Sequence, residues 1–274
     1  MLASTAAQPV QAGGLPRCRA VDRPPTHAPT STPSLHAGNI CQARVTRVQP
    51  VAARPLPRQP DPQPRRNGDY VHLGATTTGA WSGILGRIEV GDPGVRSGTY
   101  DFTGARFMAR RDTGSGTAWL EAGWAETGWS ASGEQRVYTY DTNHNAWTFY
   151  DDYAIRPGDK IWIFLSTESS GPKPAWQAWL WWGDSWHLLT SQELPLTGST
   201  QIEQYVEIHA DPKHAGRYSV PPIGFDNVQV KTAPDGTLRF WREADVPSNQ
   251  SSNPGDYCIA WTTRYDTWRA GDCG

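Results

Sequence analysis

Two short runs hold the residues best suited to chemistry. The first is Gln201-Ile-Glu-Gln-Tyr-Val-Glu-Ile-His209. In a strand, side chains alternate with a period of two. Ile202, Gln204, Val206 and Ile208 then face one way, and Glu203, Tyr205, Glu207 and His209 the other. The Ile/Val side belongs to a core. The opposite side is a row of two carboxylates, a phenol and an imidazole, all groups that move protons. A solvated sheet face also explains such a row, but solvated faces favour Thr, Lys and Ser. In the second run, Trp119, Glu121, Gly123 and Ala125 share one face, with Leu120, Ala122, Trp124 and Glu126 on the other. A mid-strand Gly marks the close approach of a ligand or another chain segment.

Glu121 and Glu203 together make a candidate catalytic pair. Two neighbouring carboxylates do not both ionise cheaply, so one keeps its proton. The ionised one would deprotonate an attacking water. The protonated one would polarise the bond under attack and donate to the leaving group. Such a site works best in acid. Trp119, Trp147, Tyr150, Tyr205 and Glu207 are the candidate cleft residues, although sheet packing is the simpler account of Trp119, Trp147 and Tyr150.

The elements that must position these groups are strands. From Trp81 onward, short alternating runs are broken by Gly, Pro, Asn and Asp. The pattern predicts strands at 83–90, 98–109, 117–126, 136–141, 146–150, 160–167, 175–182, 186–190, 201–209, 223–231 and 238–242. Strands without helices over this length predict an all-β fold, an antiparallel jelly-roll β-sandwich of two large sheets. The run Trp176-Gln-Ala-Trp-Leu-Trp-Trp182 reads as a strand buried on both faces, with Trp176, Ala178, Leu180 and Trp182 on one and Trp179 and Trp181 on the other.

The 274-residue chain carries a formal net charge of −2, which excludes a dominant nucleic-acid footprint. It has no apolar run long enough for a transmembrane helix. These averages conceal two segments. Residues 1–69 hold 12 Pro, 9 Arg and 3 Asp, with no aromatic residue, for a net charge of +6. Residues 70–274 hold every aromatic, including 14 Trp, and carry −8. A Pro-rich stretch without aromatics buries too little surface to offset its ordering entropy. Residues 1–69 are therefore expected to be a disordered arm, either a linker or a basic pro-segment over the acidic 70–274 domain.

The four cysteines fall into two local pairs, Cys18 with Cys41 and Cys258 with Cys273. None has CxxC spacing, so disulfides are expected rather than a metal. A bridge between Cys258 and Cys273 would contribute roughly 3 kcal/mol by loop-closure entropy. Met1 to Gly14 has no clear signal-peptide pattern, but the cysteine pattern argues for a secreted protein. No cofactor or metal is expected. His209, Asp211 and His214 read as a solvated turn, and the chain is expected to be a monomer.

Several segments, in order, resemble the glutamic peptidases, both eqolisin-type and neprosin-type. Trp81-Ser-Gly-Ile84 and Ser97-Gly-Thr-Tyr-Asp-Phe102 are similar to the family's opening strands. Leu120-Glu-Ala-Gly-Trp124, followed by Arg136-Val-Tyr-Thr-Tyr140, resembles its next conserved stretch. Ala146-Trp-Thr-Phe-Tyr-Asp-Asp-Tyr153 and Arg156-Pro-Gly-Asp159 resemble the Trp/Tyr-rich strand and turn that follow, and Ile202-Glu-Gln-Tyr-Val-Glu207 the strand bearing the catalytic Glu. The resemblance covers about 81–230. It implies a concanavalin-like sandwich with its catalytic pair on the concave face, acting on polypeptides. Glu203 matches the catalytic Glu. Glu121 stands at the partner position, which is Gln in eqolisins and Glu in neprosin-type enzymes.

Two other readings compete. Glu203 and Glu207 have the spacing of a retaining-glycosidase pair, which needs carboxyls about 5–5.5 Å apart, but Tyr205 replaces the usual central Asp. Alternatively the Trp-rich body is a non-catalytic module that binds polysaccharide or protein.

Overall fold

The computed structural model describes residues 70–274 except 115, 184, 215 and 252–254, together with the backbone of two short strands at 18–19 and 45–48. Its strands, in chain order, begin with β1 (Cys18–Arg19), β2 (Val45–Val48), β3 (Tyr70–Thr77), β4 (Gly83–Glu89), β5 (Phe102–Asp112) and β6 (Thr117–Thr127). Next come β7 (Arg136–Asp141), β8 (Ala146–Ala154), β9 (Lys160–Thr167), β10 (Ala175–Trp182), β11 (Ser185–Glu193) and β12 (Gln201–His209). The last are β13 (Ile223–Lys231), β14 (Leu238–Phe240), β15 (Ser248–Gln250), β16 (Tyr257–Thr263) and β17 (Thr267–Asp272). There is no helix among the described residues, and so none long and apolar enough to cross a membrane.

The strands form two sheets packed as a sandwich. One runs β1-β8-β7-β6-β5-β12-β3-β15 with β2 also on β8; the other runs β11-β10-β9-β4-β13-β17-β16 with β14 on β13. Pairing is antiparallel except for β1, which lies parallel to β8 at Tyr153 and Ala154. β2 pairs antiparallel with β8, from Val45 opposite Tyr150 to Val48 opposite Trp147. Two pieces of the Pro-rich arm thus hydrogen-bond to the edge of the first sheet. The rest of the arm, including Cys41, lies outside the described residues, as does the Cys18 side chain, so a Cys18–Cys41 bridge is not assessed.

The period of two dictates what is buried. Ala105, Phe107 and Ala109 of β5, Leu120, Ala122 and Trp124 of β6, and Ile202, Val206 and Ile208 of β12 all enter the inter-sheet core. From the second sheet Trp176, Ala178, Leu180 and Trp182 meet them. Trp179 and Trp181 point the other way, into a cluster with Leu85, Trp162 and Phe164. The Trp-dense strand is therefore buried on both faces and offers no open stacking surface.

Gln204 is a polar residue in this core, and it is fully satisfied. Its Nε2 donates to the Tyr265 carbonyl at 2.8 Å, and its Oε1 accepts from Trp268 Nε1 at 2.7 Å. Both partners belong to the β16–β17 hairpin, which the Cys258–Cys273 disulfide closes. The C-terminal hairpin thus braces β12 from the core side.

Candidate active site

The outer face of the first sheet collects the chemically able side chains. β5 lies between β6 and β12, and Met108 pairs with Glu121 on one side and Glu203 on the other. The two glutamates therefore stand at the same level on one face, two strand spacings or about 10 Å apart at their Cα atoms. Two residues along β5, Arg106 pairs with Gly123 and Tyr205. Glu207, one step further, pairs with Gly104 and His72. β6 presses hard on β5 here, since a Cβ on Gly123 would lie 2.0 Å from the Ala105 carbonyl oxygen.

Arg106 is the centre of the cluster. Its side chain is 3% exposed. Nε donates to Glu207 Oε2 at 2.8 Å, and Nη2 lies 2.7 Å from the same oxygen. Glu121 Oε2 is 3.1 Å from Nε, and Glu203 Oε2 is 3.9 Å from Nη1. Glu203 is also held from its outer side, by Arg110 Nη1 at 3.2 Å. Glu207 gains a second cation-capable neighbour in His72, whose Nε2 lies 3.4 Å away. Tyr138 donates its hydroxyl to Glu121 Oε1 at 3.3 Å.

Three carboxylates thus share two guanidiniums, and the contacts divide them unequally. The single Nε proton of Arg106 goes to Glu207. Burial would raise the pKa of Glu207, but Arg106, and then His72, more than offset it and hold the carboxyl well below the usual carboxylate range. Glu121 is left with the weaker claim. Burial pushes its pKa up to about 8 against the pull of Arg106, and the charges of Glu207 and Glu203 add to the rise. At neutral pH Glu121 is protonated beside two charged guanidiniums. Arg106 is held more firmly protonated, because its carboxylate neighbours outweigh the cost of its own burial.

Aromatic rings line this face beside Glu121. Trp119 stacks on Tyr140 with centroids 5.4 Å apart, and Tyr138 stacks on Trp147 at 4.5 Å. Tyr205 lies on the other side, its ring centroid 5.6 Å from the Arg106 guanidinium and its hydroxyl bonded to Thr76. At the far end His209 stacks on Tyr70 at 4.4 Å.

The structure brings Glu121, Glu203, Trp119, Trp147, Tyr205 and Glu207 to one face. Tyr150 is a correction. Its hydroxyl bonds to Thr139 and to the Leu189 carbonyl, and its ring is in the inter-sheet core. Trp147 and Tyr150 differ by an odd number of positions on one strand, so they point to opposite faces. The turn expected after His209 is present, with Asp211 accepting from the Lys213 and Tyr100 amides and lying 3.2 Å from His214 Nδ1. Sequence reasoning missed Arg106, Arg110, Tyr138 and His72. Arg106 had a legible signal: in the run Gly104-Ala-Arg-Phe-Met-Ala109 a lone charge interrupts an apolar strand, and a buried charge needs partners.

The sequence matches no family profile and no curated protein sequence. Among solved structures the fold is similar to scytalido-glutamic peptidase crystallised with a transition state analogue inhibitor, at a TM-score of 0.53 and 14% identity, covering 76% of this chain and 100% of that one. A second crystal structure of the same peptidase, with a peptide-based transition state analogue, gives a TM-score of 0.50 at 14% identity, over 75% and 98% of the two chains. At that identity the likeness establishes the shared β-sandwich fold alone.

Proposed function

We propose that this protein is a secreted endopeptidase in which Glu203 activates water and Glu121 supplies a proton to the leaving nitrogen. The observation carrying this reading is that the two glutamates stand level across β5 on one aromatic-lined face, Glu121 with its pKa raised by burial and Glu203 against the Arg110 guanidinium. Unequal environments around two carboxylates are how an acid and a base are assigned in one site. Glu203, facing Arg110, takes a proton from the attacking water as the new C–O bond forms. When the C–N bond breaks, the nitrogen takes the proton of Glu121. Proton exchange with solvent then resets both groups. A polypeptide laid across the sheet would contact Trp119, Tyr140 and Trp147 on one side and Tyr205 on the other. Because Glu121 keeps its proton to about pH 8, the activity extends from acid to near neutrality. The Cys258–Cys273 bridge supports an oxidising, extracellular setting.

The test is incubation of the full chain with denatured proteins in ¹⁸O-water from about pH 3 to 9, with mass spectrometry of the products. Internal cleavage with ¹⁸O in the new C-termini, abolished by Glu203→Gln, is the expected result. A second reading, a binding module without chemistry, draws on the Arg106–Glu207 ion pair, which is complete in itself. Tight peptide binding with no cleavage at any pH would favour that module.

A further inference from the structure

Arg106 has more donor capacity than its ion pairs consume. Nε and Nη2 are taken by Glu207, with Glu121 beside Nε. Nη1 has no hydrogen-bond partner among the described residues, although it is buried. Glu203 Oε2 stands off from it at 3.9 Å. A buried guanidinium N–H without an acceptor is costly, and this one lies between the proposed acid and the proposed base.

Resting on the peptidase reading, we infer that Arg106 is a third catalytic residue, whose Nη1–H binds the carbonyl oxygen of the scissile amide and stabilises the oxyanion. As water oxygen bonds to the carbonyl carbon, its proton passes to Glu203 and the C=O π pair moves onto oxygen, facing Nη1–H. When that pair re-forms the C=O bond, the C–N bond breaks and the nitrogen takes the proton of Glu121. No proton leaves Arg106 at any stage. The division of labour explains why a carboxylic acid suffices at position 121: a fixed cation carries the oxyanion, and Glu121 has only to deliver its proton. Donors preorganised at a developing charge in a dry site are among the largest catalytic terms.

The test pairs a variant with a wild-type measurement. Arg106→Lys keeps the charge and loses the fork, and it is expected to lower kcat by about 100-fold or more with KM changed less than about threefold. Because Arg106 is buried and its replacement also tests folding, the second measurement uses the unaltered full chain. A phosphinic pseudopeptide, an anionic tetrahedral mimic, is compared with the hydroxyethylene isostere of the same sequence, which carries no charge. The phosphinate is expected to inhibit at least about 10-fold more tightly, the preference a well-placed cation confers. Equal or weaker inhibition by the phosphinate, or a folded Arg106→Lys protein with undiminished kcat, would overturn the role of Arg106 and leave the peptidase reading standing. Absence of hydrolysis by wild type would remove both.

Discussion

Arg106 Nε lies 3.1 Å from Glu121 Oε2 but gives its only proton to Glu207 Oε2, 2.8 Å away. That choice orders the whole cluster. Glu207 becomes the fixed anion of a buried ion pair. Glu121, equally buried and beside the same guanidinium, becomes the carboxyl that keeps its proton. The two residues differ little in sequence context, each a Glu in an alternating strand. Their different chemistry comes from Arg106 Nε and Nη2 and from His72, which converge on Glu207 and not on Glu121.

Opposite stability effects are expected for the two glutamates. Glu121 has a raised pKa in the fold, so the native state holds more protons than the unfolded chain between the usual carboxylate value and about pH 8. Its contribution to stability is full in acid and is lost as pH rises through that window. Glu207 has a lowered pKa, so its contribution is present above the usual carboxylate value and lost as pH falls. Glu121→Gln should therefore gain stability over wild type as pH rises from about 4.5 to 8. Glu207→Gln should lose about 3–5 kcal/mol near neutrality, as when one partner of a buried pair is removed, or roughly 6–20 °C in Tm. Melting curves at several pH values check both, and effects of the same sign would sink the assignment.

Gly123 tests the backbone geometry beneath the cluster. Any Cβ there meets the Ala105 carbonyl oxygen at 2.0 Å and the Arg106 Cα at 2.8 Å, so β6 would have to withdraw from β5. Gly123→Ala should cost about 1–3 kcal/mol or more, read as a fall in Tm. Gly104, also on this face, is the control. Its Cβ would find the Tyr138 hydroxyl at 3.4 Å as its nearest neighbour, so Gly104→Ala should be nearly neutral. Similar Tm values for the two variants would refute the close-packing argument.

Alternation made much of this architecture readable. β7, β9, β10, β12 and β13 have the predicted boundaries, and the two faces of β6, β10 and β12 are those the period of two assigns. Other strands were hidden for physical reasons. β3 carries Gly74 at its centre and follows a Pro-rich stretch, so its pattern merges with the arm. β16 and β17 are short and polar, with a partly exposed face, and depend on their disulfide and on Trp268 packing flat against Phe225. In the candidate site, Glu121 and Glu203 were legible because alternation sets each on the face opposite the core residues of its own strand. For Arg106 the sequence showed only a lone charge in an apolar strand; its role was hidden, because only the β6-β5-β12 order places it between them.

The C-terminal hairpin should matter to β12 beyond its own stability. Gln204 ties β12 to Tyr265 and Trp268, and the Cys258–Cys273 bridge holds the strands that carry them. Its loss should cost roughly 3 kcal/mol. Cys258→Ser/Cys273→Ser protein should therefore melt lower and show faster amide hydrogen exchange in β12 as well as in β16 and β17. Faster exchange confined to the hairpin would show that the Gln204 link transmits nothing.

The pH dependence of hydrolysis puts the roles of the carboxylates together. If Glu121 must be protonated to release the amine, turnover holds through neutrality and falls as pH passes about 8. The Glu207 charge helps to raise that limb, so Glu207→Gln should move it to lower pH in whatever folded protein remains. Lowering the charge of Glu203 by Glu203→Gln leaves no base and should abolish turnover at every pH. Glu121→Gln removes the titrating acid. An amide cannot release a proton as a carboxylic acid does, so turnover should drop by about 100-fold or more, the scale of a lost general acid, and the residual rate should no longer decline near pH 8. Initial rates on one peptide substrate across the range, for wild type and the three variants, decide the matter. An unshifted alkaline limb in Glu121→Gln would assign that limb to another group and remove Glu121 from the reaction.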